Sequence, residues 1–128
     1  MQQWLAQQSQ LPQQIFASDA RRTRATSRFV CDALDTSTQL FFDHRLYLAS
    51  IHAVLELVSE TPHTVTSLAI IMHNPAATHL INLLVGEPVI DNLPTFGIAR
   101  METSKPWLDL TEGCAALDFV CSPKMLNS

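Results

Sequence analysis

Segment 66–86 constrains the fold more than any other part of the sequence. It begins with the continuous apolar run TSLAIIM, passes through His73-Asn74-Pro75 and continues in a helical pattern up to Gly86. Unbroken apolar strands are typical of a sheet that is covered on both faces. Asn74 is suited to cap the helix, Pro75 to occupy its first position and Gly86 to end it. We therefore expect a strand–helix unit with His73 at the junction.

Short strand candidates alternate with helical patterns along the rest of the chain. The strand candidates are 14–17, 40–42, 95–103 and 115–121, and the helical patterns are 1–8, 20–34 and 46–59. Strands that alternate with helices predict a three-layer α/β/α sandwich. The 128 residues, of which 47% are hydrophobic and 16% charged, are enough for one globular domain over 1–128.

The composition argues against several classes of function. The net charge of -4 gives little electrostatic support for nucleic-acid binding. No apolar run approaches the roughly 20 residues that span a bilayer, and the N-terminus lacks the features of a signal peptide. The cysteines form no CxxC pair and the histidines lack ligand spacing, so no metal and no cofactor are expected. The sequence predicts a soluble cytoplasmic protein without a membrane or nucleic-acid partner.

The predicted helix after Ser18-Asp19 has two faces. The solvated face comprises Arg21, Arg24, Arg28 and Asp32, and the opposite, mostly apolar face comprises Arg22, Ala25, Thr26, Phe29, Val30 and Ala33. Arg22 is therefore predicted on the buried side, where an arginine without an anionic partner would be costly. A guanidinium group matches phosphate geometry and keeps its charge, so a phosphate ligand is one interpretation. The alternative is an arginine whose stem covers apolar surface.

His73 is predicted at the carboxyl end of a buried strand, where ligands bind in open α/β sheets. The first amides of the following helix favour an anion, and an imidazole can donate to a phosphate oxygen. The alternative is a histidine that only hydrogen-bonds its own loop.

Two motifs resemble the histidine phosphatase (phosphoglycerate-mutase-like) superfamily. The segment 18–26, SDARRTRAT, resembles its S-x-x-x-R-T/A-x-x-T element, and His73-Asn74-Pro75 resembles its G-H-N-P element. Further segments look like the short SixA-type phosphohistidine phosphatases. These are Leu46–Ser50, Leu84–Glu87, Asp91–Thr95 and Gly97–Ala99. The resemblance extends in register from Met1 to about Val120.

In such enzymes a nucleophilic histidine attacks phosphorus, while two arginines and a second histidine hold the equatorial oxygens. The resemblance implies that Arg22 is the second arginine and His73 the second histidine of a catalytic pocket, with Asn74 also at the phosphate. It implies a phosphorylated protein (phosphohistidine) or a small phosphomonoester as substrate. Asp43 and His44 are the candidates for the proton donor, and an ordinary surface role is the alternative for each.

The sequence departs from the superfamily pattern in two places. Met72 replaces the glycine before His73, which either narrows the pocket rim or shifts the His73 backbone. In addition, no Arg-His pair followed by Gly or Ala exists in the chain. Because residues 1–5 look like the helix that follows the nucleophile strand, we expect an N-terminally truncated domain. The remaining histidines are not expected to substitute for the nucleophile; they are His44, His52, His63 and His79.

Three hypotheses remain open at this level. The first is a SixA-type phosphatase that is truncated and inactive in this form, and the second is a non-catalytic module that binds phosphate or a phosphoprotein. The third is a structural domain without a ligand. Loss of a central strand would leave strand edges unpaired, so we also expect aggregation or a homo-oligomer through exposed edges.

Overall fold

The computed structural model describes residues 12–33, 38–47, 50–94 and 97–122. The strands are β1 (Gln14–Ser18), β2 (Gln39–Asp43), β3 (Leu68–Ile71), β4 (Ile98–Thr103) and β5 (Ala115–Cys121). The α-helices are α1 (Arg21–Ala33), α2 (Ile51–Ser59) and α3 (Ala76–Val85). Two 3₁₀ helices cover His44–Leu46 and Trp107–Asp109. The helix predicted at 1–8 lies outside the described residues.

The strands form two sheets. One sheet is parallel and has the order β2-β1-β3. The other is the antiparallel pair β4-β5, with an irregular register between Arg100 and Met101. Among the described residues, β3 pairs with β1 alone and β4 pairs with β5 alone. Each of these two strands therefore has an edge without a strand partner in this part of the chain.

Helices pack on both faces of β1. Its central residues Ile15 and Ala17 are fully buried, and Phe16 points to the opposite face because side chains alternate along a strand. Phe16 belongs to the main apolar cluster, whose other members are Leu46, Val54, Leu57, Val58, Leu80 and Leu84. That cluster places α2 and α3 on one face, while α1 packs against β1 with buried Thr23 and Ser27. The three-layer α/β/α architecture predicted from the sequence is confirmed.

α3 ends at Gly86 as predicted, but it begins at Ala76 with Pro75 at the N-cap, one residue later than the prediction of Asn74 as cap and Pro75 as first residue. The side-chain oxygen of Asn74 accepts from the backbone N–H of Thr78 at 3.1 Å, and Gly86 ends the helix with φ 89°. A Cβ atom added at Gly86 would lie 2.9 Å from the Cα of Gly113, so this approach requires glycine. The backbone N–H of Gly113 donates to the carbonyl of Leu83 at 3.0 Å. The turn before β5 is thereby attached to the end of α3.

A large groove separates β3 from β4. We call it the central groove; its volume is about 2730 Å³. Both strands line it along their lengths, α1 borders it on one side, and α2 and α3 border it on the other. At the amino end of β3, the indole N–H of Trp107 donates to the carbonyl of Val65 at 2.7 Å. This hydrogen bond connects the segment after β4 to the segment before β3.

The structure corrects the prediction of which face of α1 is buried. Arg22 and Ala25 were predicted on the buried side of the helix, but both are exposed, and Thr23 and Ser27 are buried instead. The reason is that the predicted apolar face does not pack against another described element. Arg22, Ala25, Thr26 and Val30 line the groove.

Candidate functional site

His73 lies two residues beyond β3, at the carboxyl edge of the parallel sheet, and its side chain is exposed. Its Nε2 atom is 2.7 Å from the hydroxyl oxygen of Thr23, which is buried in the first turn of α1. This hydrogen bond fixes the imidazole against α1. It also leaves Nδ1 as the ring nitrogen available to a ligand.

Arg22 precedes Thr23 on α1 and lines the central groove together with His73. The guanidinium group has no hydrogen-bond or ion-pair partner among the described residues, and it is exposed to solvent. A cation without a carboxylate partner, one residue before the threonine that contacts His73, is suited to bind an oxyanion. The structure thus brings the two predicted site residues to the same end of the groove.

Asn74 is the third residue that was predicted at the phosphate. Its side-chain oxygen accepts from both the backbone N–H and the hydroxyl of Thr78, and its amide donates to Asn92 Oδ1 and to the carbonyl of Leu93. Both amide donors therefore hold the 92–93 loop against α3. Its contact with phosphate stays a prediction.

Met72 occupies the position where the superfamily motif has glycine. Its half-buried side chain packs against the main apolar cluster and lines the central groove next to His73. The thioether thus forms part of the groove wall beside the candidate site.

Asp43 belongs to an ion-pair cluster at the end of β2. Its carboxylate accepts from the side chain and from the backbone N–H of Arg45, and Arg45 also pairs with Glu60. The hydrogen bond from the Arg45 side chain lowers the pKa of Asp43 below its ordinary value. A carboxylate that is held ionised in this way is a poor proton donor at neutral pH.

Substituting Asp43 with asparagine is expected to lower the free energy of unfolding by about 0.5–1 kcal/mol at neutral pH, because a partly exposed ion pair loses its charge. Since the folded-state pKa is lowered, this stabilisation is present above the ordinary value of 3.8 and is lost as the pH falls below it. The difference in free energy of unfolding between wild type and Asp43→Asn, measured by urea unfolding, should thus be smaller at about pH 3 than at neutral pH. Asp109→Asn, at an exposed carboxylate, is the control. A difference that is independent of pH would contradict the role of charge.

His44 forms a different arrangement at the same sheet edge. Its Nδ1 atom is 3.0 Å from a carboxylate oxygen of Asp19, and its ring stacks on Tyr47 with centroids 5.4 Å apart. Tyr47 lines the central groove, whereas His44 does not. As a candidate proton donor, His44 stays a prediction.

The other described histidines form no hydrogen bond, ion pair or ring contact with His73 or Arg22. His52 on α2 and His79 on α3 are exposed, and of these two His79 lines the central groove. His63 lines the groove but precedes β3, so the whole strand separates it from His73.

Sequence reasoning missed Thr23 as a site residue. Thr23 follows Arg22 within the segment SDARRTRAT, and a threonine in a polar helix start gives no signal of its own. The available signal was the pair Thr23 and Ser27, four residues apart, which places two small hydroxyl residues on one helix face. That face is the one that α1 buries.

Comparisons with known proteins place the fold. No protein-family model matches the chain. Uncharacterized proteins from two strains of Mycobacterium tuberculosis are 28% identical over 123 aligned positions, which cover 89% of this chain and 75% of each relative.

Solved structures of SixA proteins are similar to this chain over most of its length. A provisionally assigned phosphohistidine phosphatase SixA from Nakamurella multipartitia superposes with a TM-score of 0.83 at 22% identity, over 95% of this chain and 77% of that one. The protein histidine phosphatase SixA complexed with tungstate superposes with a TM-score of 0.75 at 22% identity, over 98% of this chain and 78% of that one. The provisionally assigned phosphohistidine phosphatase SixA from Agrobacterium tumefaciens superposes with a TM-score of 0.70 at 21% identity, over 88% of this chain and 68% of that one. The histidine phosphatase fold predicted from the motifs is therefore confirmed.

Proposed function

We propose that this chain is the phosphate-binding part of a SixA-type phosphohistidine phosphatase. The observation that carries the proposal is the Arg22–Thr23–His73 cluster at the carboxyl sheet edge of a domain with the SixA fold. One of the SixA structures with this fold is complexed with tungstate, an oxyanion of phosphate-like shape. In this chain, Arg22 offers a guanidinium fork and His73 a positioned imidazole for such an anion.

In the proposed reaction, Arg22 and His73 hold the equatorial oxygens of a phosphoryl group while charge develops on them. A nucleophilic histidine forms a new N–P bond as the bond from phosphorus to the leaving group breaks, and the leaving group takes up a proton. Water then attacks the enzyme phosphohistidine, which releases orthophosphate and regenerates the free imidazole. Arg22 and His73 act in both steps without changing their own bonds.

The nucleophile of this scheme is assigned to a polypeptide segment outside the 128 residues. Two observations support this assignment. The sequence contains no Arg-His pair, and Arg22 and His73 line a groove wide enough to admit a further group. The 128 residues alone are therefore proposed to bind the oxyanion without turning it over.

The substrate class proposed is a phosphohistidine side chain of a protein, with a small phosphomonoester as the alternative. An exposed His73 and Arg22 at the mouth of a wide groove support access for a side chain that is attached to a protein. Within the described residues, no helix is long and apolar enough to cross a membrane. The cytoplasmic location predicted from the sequence stays a prediction.

Calorimetry with tungstate and orthophosphate, together with a phosphatase assay, tests the proposal. The 128-residue chain should bind both anions in one site and release no p-nitrophenol from p-nitrophenyl phosphate. His73→Ala should weaken binding, whereas His52→Ala, at an exposed position on α2 outside the groove lining, should leave it unchanged. If the chain binds neither anion, or if it turns over the ester with a dependence on His73, the proposal is wrong.

A non-catalytic phosphate-binding module is the second candidate function, and the absence of an Arg-His pair favours it. The genomic DNA upstream of the Met1 codon distinguishes the two. An in-frame apolar strand that ends in Arg-His-Gly or Arg-His-Ala supports the phosphatase. A stop codon directly upstream supports the binding module.

A further inference from the structure

We propose that one exposed face of α1 is a docking surface for an acidic segment of the protein that carries the phosphoryl group. We call it the arginine face; it comprises Arg21, Arg24 and Arg28. The inference rests on the proposed function, because it describes the surroundings of the phosphorylated side chain. Its central claim concerns charge and can be tested with a ligand that contains no phosphate.

The positive charge of the chain is concentrated in α1. The chain has a net charge of -4, with 8 lysines and arginines against 12 acidic residues, yet segment 21–28, RRTRATSR, holds four arginines and no acid. Arg21, Arg24 and Arg28 lie at i, i+3 and i+7, so they share one side of the helix and span about 10 Å along its axis. All three are exposed. A positive face on an acidic chain is suited to a negatively charged partner.

The arginine face is not neutralised by carboxylates of the described residues. Arg45 and Arg100 form ion pairs with carboxylates elsewhere in the domain. Arg21 and Arg28, in contrast, have no hydrogen-bond or ion-pair partner in the described part of the chain. Asp32 is exposed one turn beyond Arg28 and forms no ion pair with it. These charges are therefore available to a partner.

Arg24 is held in position and keeps its charge available. Its Nε–H donates to the backbone carbonyl of Asp19 at 3.0 Å, and its guanidinium carbon lies 4.4 Å from the centroid of the Phe42 ring. Both contacts are with uncharged groups, and they leave the two Nη groups without a partner among the described residues. A guanidinium group that is fixed in this way loses little conformational entropy when it binds a carboxylate.

The start of a helix is an unfavourable place for these arginines. The first turn of α1 begins with Arg21 and Arg22 and contains no acidic residue. Cations near a helix N-terminus oppose the helix dipole, and like charges three or four residues apart repel each other. An anionic partner on the arginine face relieves both effects. A local conflict with stability of this kind is expected where a surface serves binding.

Arg21 connects the arginine face to the candidate site. It lines the central groove together with Arg22 and His73, whereas Arg24 and Arg28 extend the positive surface outside the groove. A protein whose phosphorylated side chain enters the groove therefore places its neighbouring surface beside α1. The partner we infer is the acidic face of that protein and not a nucleic acid, because the net negative charge of this chain disfavours a long polyanion.

Fluorescence anisotropy with a labelled peptide tests the inference. The probe is an alanine-based helical peptide without phosphate, whose glutamates at i, i+3 and i+7 lie on one face. At low ionic strength we expect saturable binding to the 128-residue chain, which weakens as the salt concentration rises. A peptide of the same composition with its glutamates distributed around the helix should bind about fivefold more weakly.

Matched variants separate the arginine face from the net charge of the chain. Arg28→Gln should weaken probe binding by about threefold, and the triple variant Arg21→Gln/Arg24→Gln/Arg28→Gln by about 30-fold. Lys105→Gln removes one positive charge at an exposed position after β4. It should change binding by less than about twofold, because a distant surface charge is screened. Circular dichroism checks that all variants fold.

Thermal unfolding gives a second readout, which a structural role of the arginines would move in the opposite direction. Arg21→Gln removes a cation from the N-terminus of α1. It should raise the melting temperature of the free chain by about 1–3 °C while it weakens probe binding. A lower melting temperature would show that Arg21 stabilises the helix itself, and it would contradict the inference.

Each outcome supports or overturns the inference. Probe binding that depends on Arg28 and not on Lys105 supports it. Absence of binding, or equal losses in Arg28→Gln and Lys105→Gln, overturns it. Double-stranded DNA that binds more tightly than the probe, with the same dependence on the three arginines, overturns the assignment to an acidic protein. If tungstate binds but the probe does not, the proposed function stands and this inference is wrong. If the probe binds but tungstate does not, the proposed function is wrong and the arginine face remains a docking surface.

Discussion

Replacing Arg22 by alanine is expected to weaken tungstate and orthophosphate binding by about 100-fold. A hydrogen-bonded charge pair contributes on the order of 1.5–3 kcal/mol, and the upper part of that range corresponds to about two decades in affinity. The guanidinium group has no competing partner among the described residues, so its interaction energy is available to the ligand. Isothermal titration calorimetry at low ionic strength measures the change.

Arg28→Ala is the matched control, because Arg28 lies on the same helix, is exposed and does not line the groove. It should retain affinity within about twofold, as a distant surface charge is screened. Arg22→Lys keeps the charge but loses the planar fork, and we expect an affinity between those of wild type and Arg22→Ala. If Arg22→Ala and Arg28→Ala lose equal affinity for the anion, Arg22 acts only as a general surface charge and does not bind the anion directly.

Thr23→Val is expected to weaken oxyanion binding by about tenfold while the fold is retained. Valine has nearly the same shape, but it removes the hydroxyl that lies 2.7 Å from Nε2 of His73. A hydroxyl that donates to Nε2 leaves the proton on Nδ1, where it can be donated to the anion. Loss of this positioning contact costs about 1.4 kcal/mol, the ordinary size of one hydrogen bond.

The test of Thr23 needs a readout that a merely structural role would not change. Nitrogen-15 chemical shifts of the His73 ring report which nitrogen carries the proton, and Thr23→Val should shift the ring away from the Nδ1–H form. Thr23→Ser retains the hydroxyl and should restore both affinity and tautomer. Ser27→Ala, one turn along the same buried face, should leave the ring spectrum unchanged. If serine does not rescue binding, Thr23 acts through packing alone.

Local patterns in the sequence predicted much of the secondary structure. The bounds of β5 agree at both ends, and β1 extends only one residue further than predicted, to Ser18. The helix that ends at Gly86 is also correct, because a left-handed C-cap leaves a local signal. The predicted strand 66–72 is shorter in the structure, where β3 covers Leu68–Ile71, since pairing with β1 ends there.

The prediction failed where a long-range partner decides the outcome. The apolar stripe of α1 predicts a buried face, but sequence periodicity cannot identify which element would cover that face. In the structure that face borders the central groove, so Arg22 and Ala25 are exposed. Thr23 was missed for a related reason: its partner His73 is 50 residues away in the sequence. Motifs indicated Arg22 and His73 as candidates, and only the fold revealed the contact between Thr23 and the imidazole.

The hydrogen bond from Trp107 to Val65 has a consequence for how the domain unfolds. With no ladder hydrogen bonds between β3 and β4 in the described residues, the β4-β5 pair is joined to the rest by packing and by few backbone links, which include this bond and that from Gly113 to Leu83. We expect such a pair to be a separate cooperative unit that opens at a lower free energy than the β2-β1-β3 sheet. Amide protons of β4 and β5 should then exchange with solvent through partial opening, whereas those of β1 should exchange only through global unfolding.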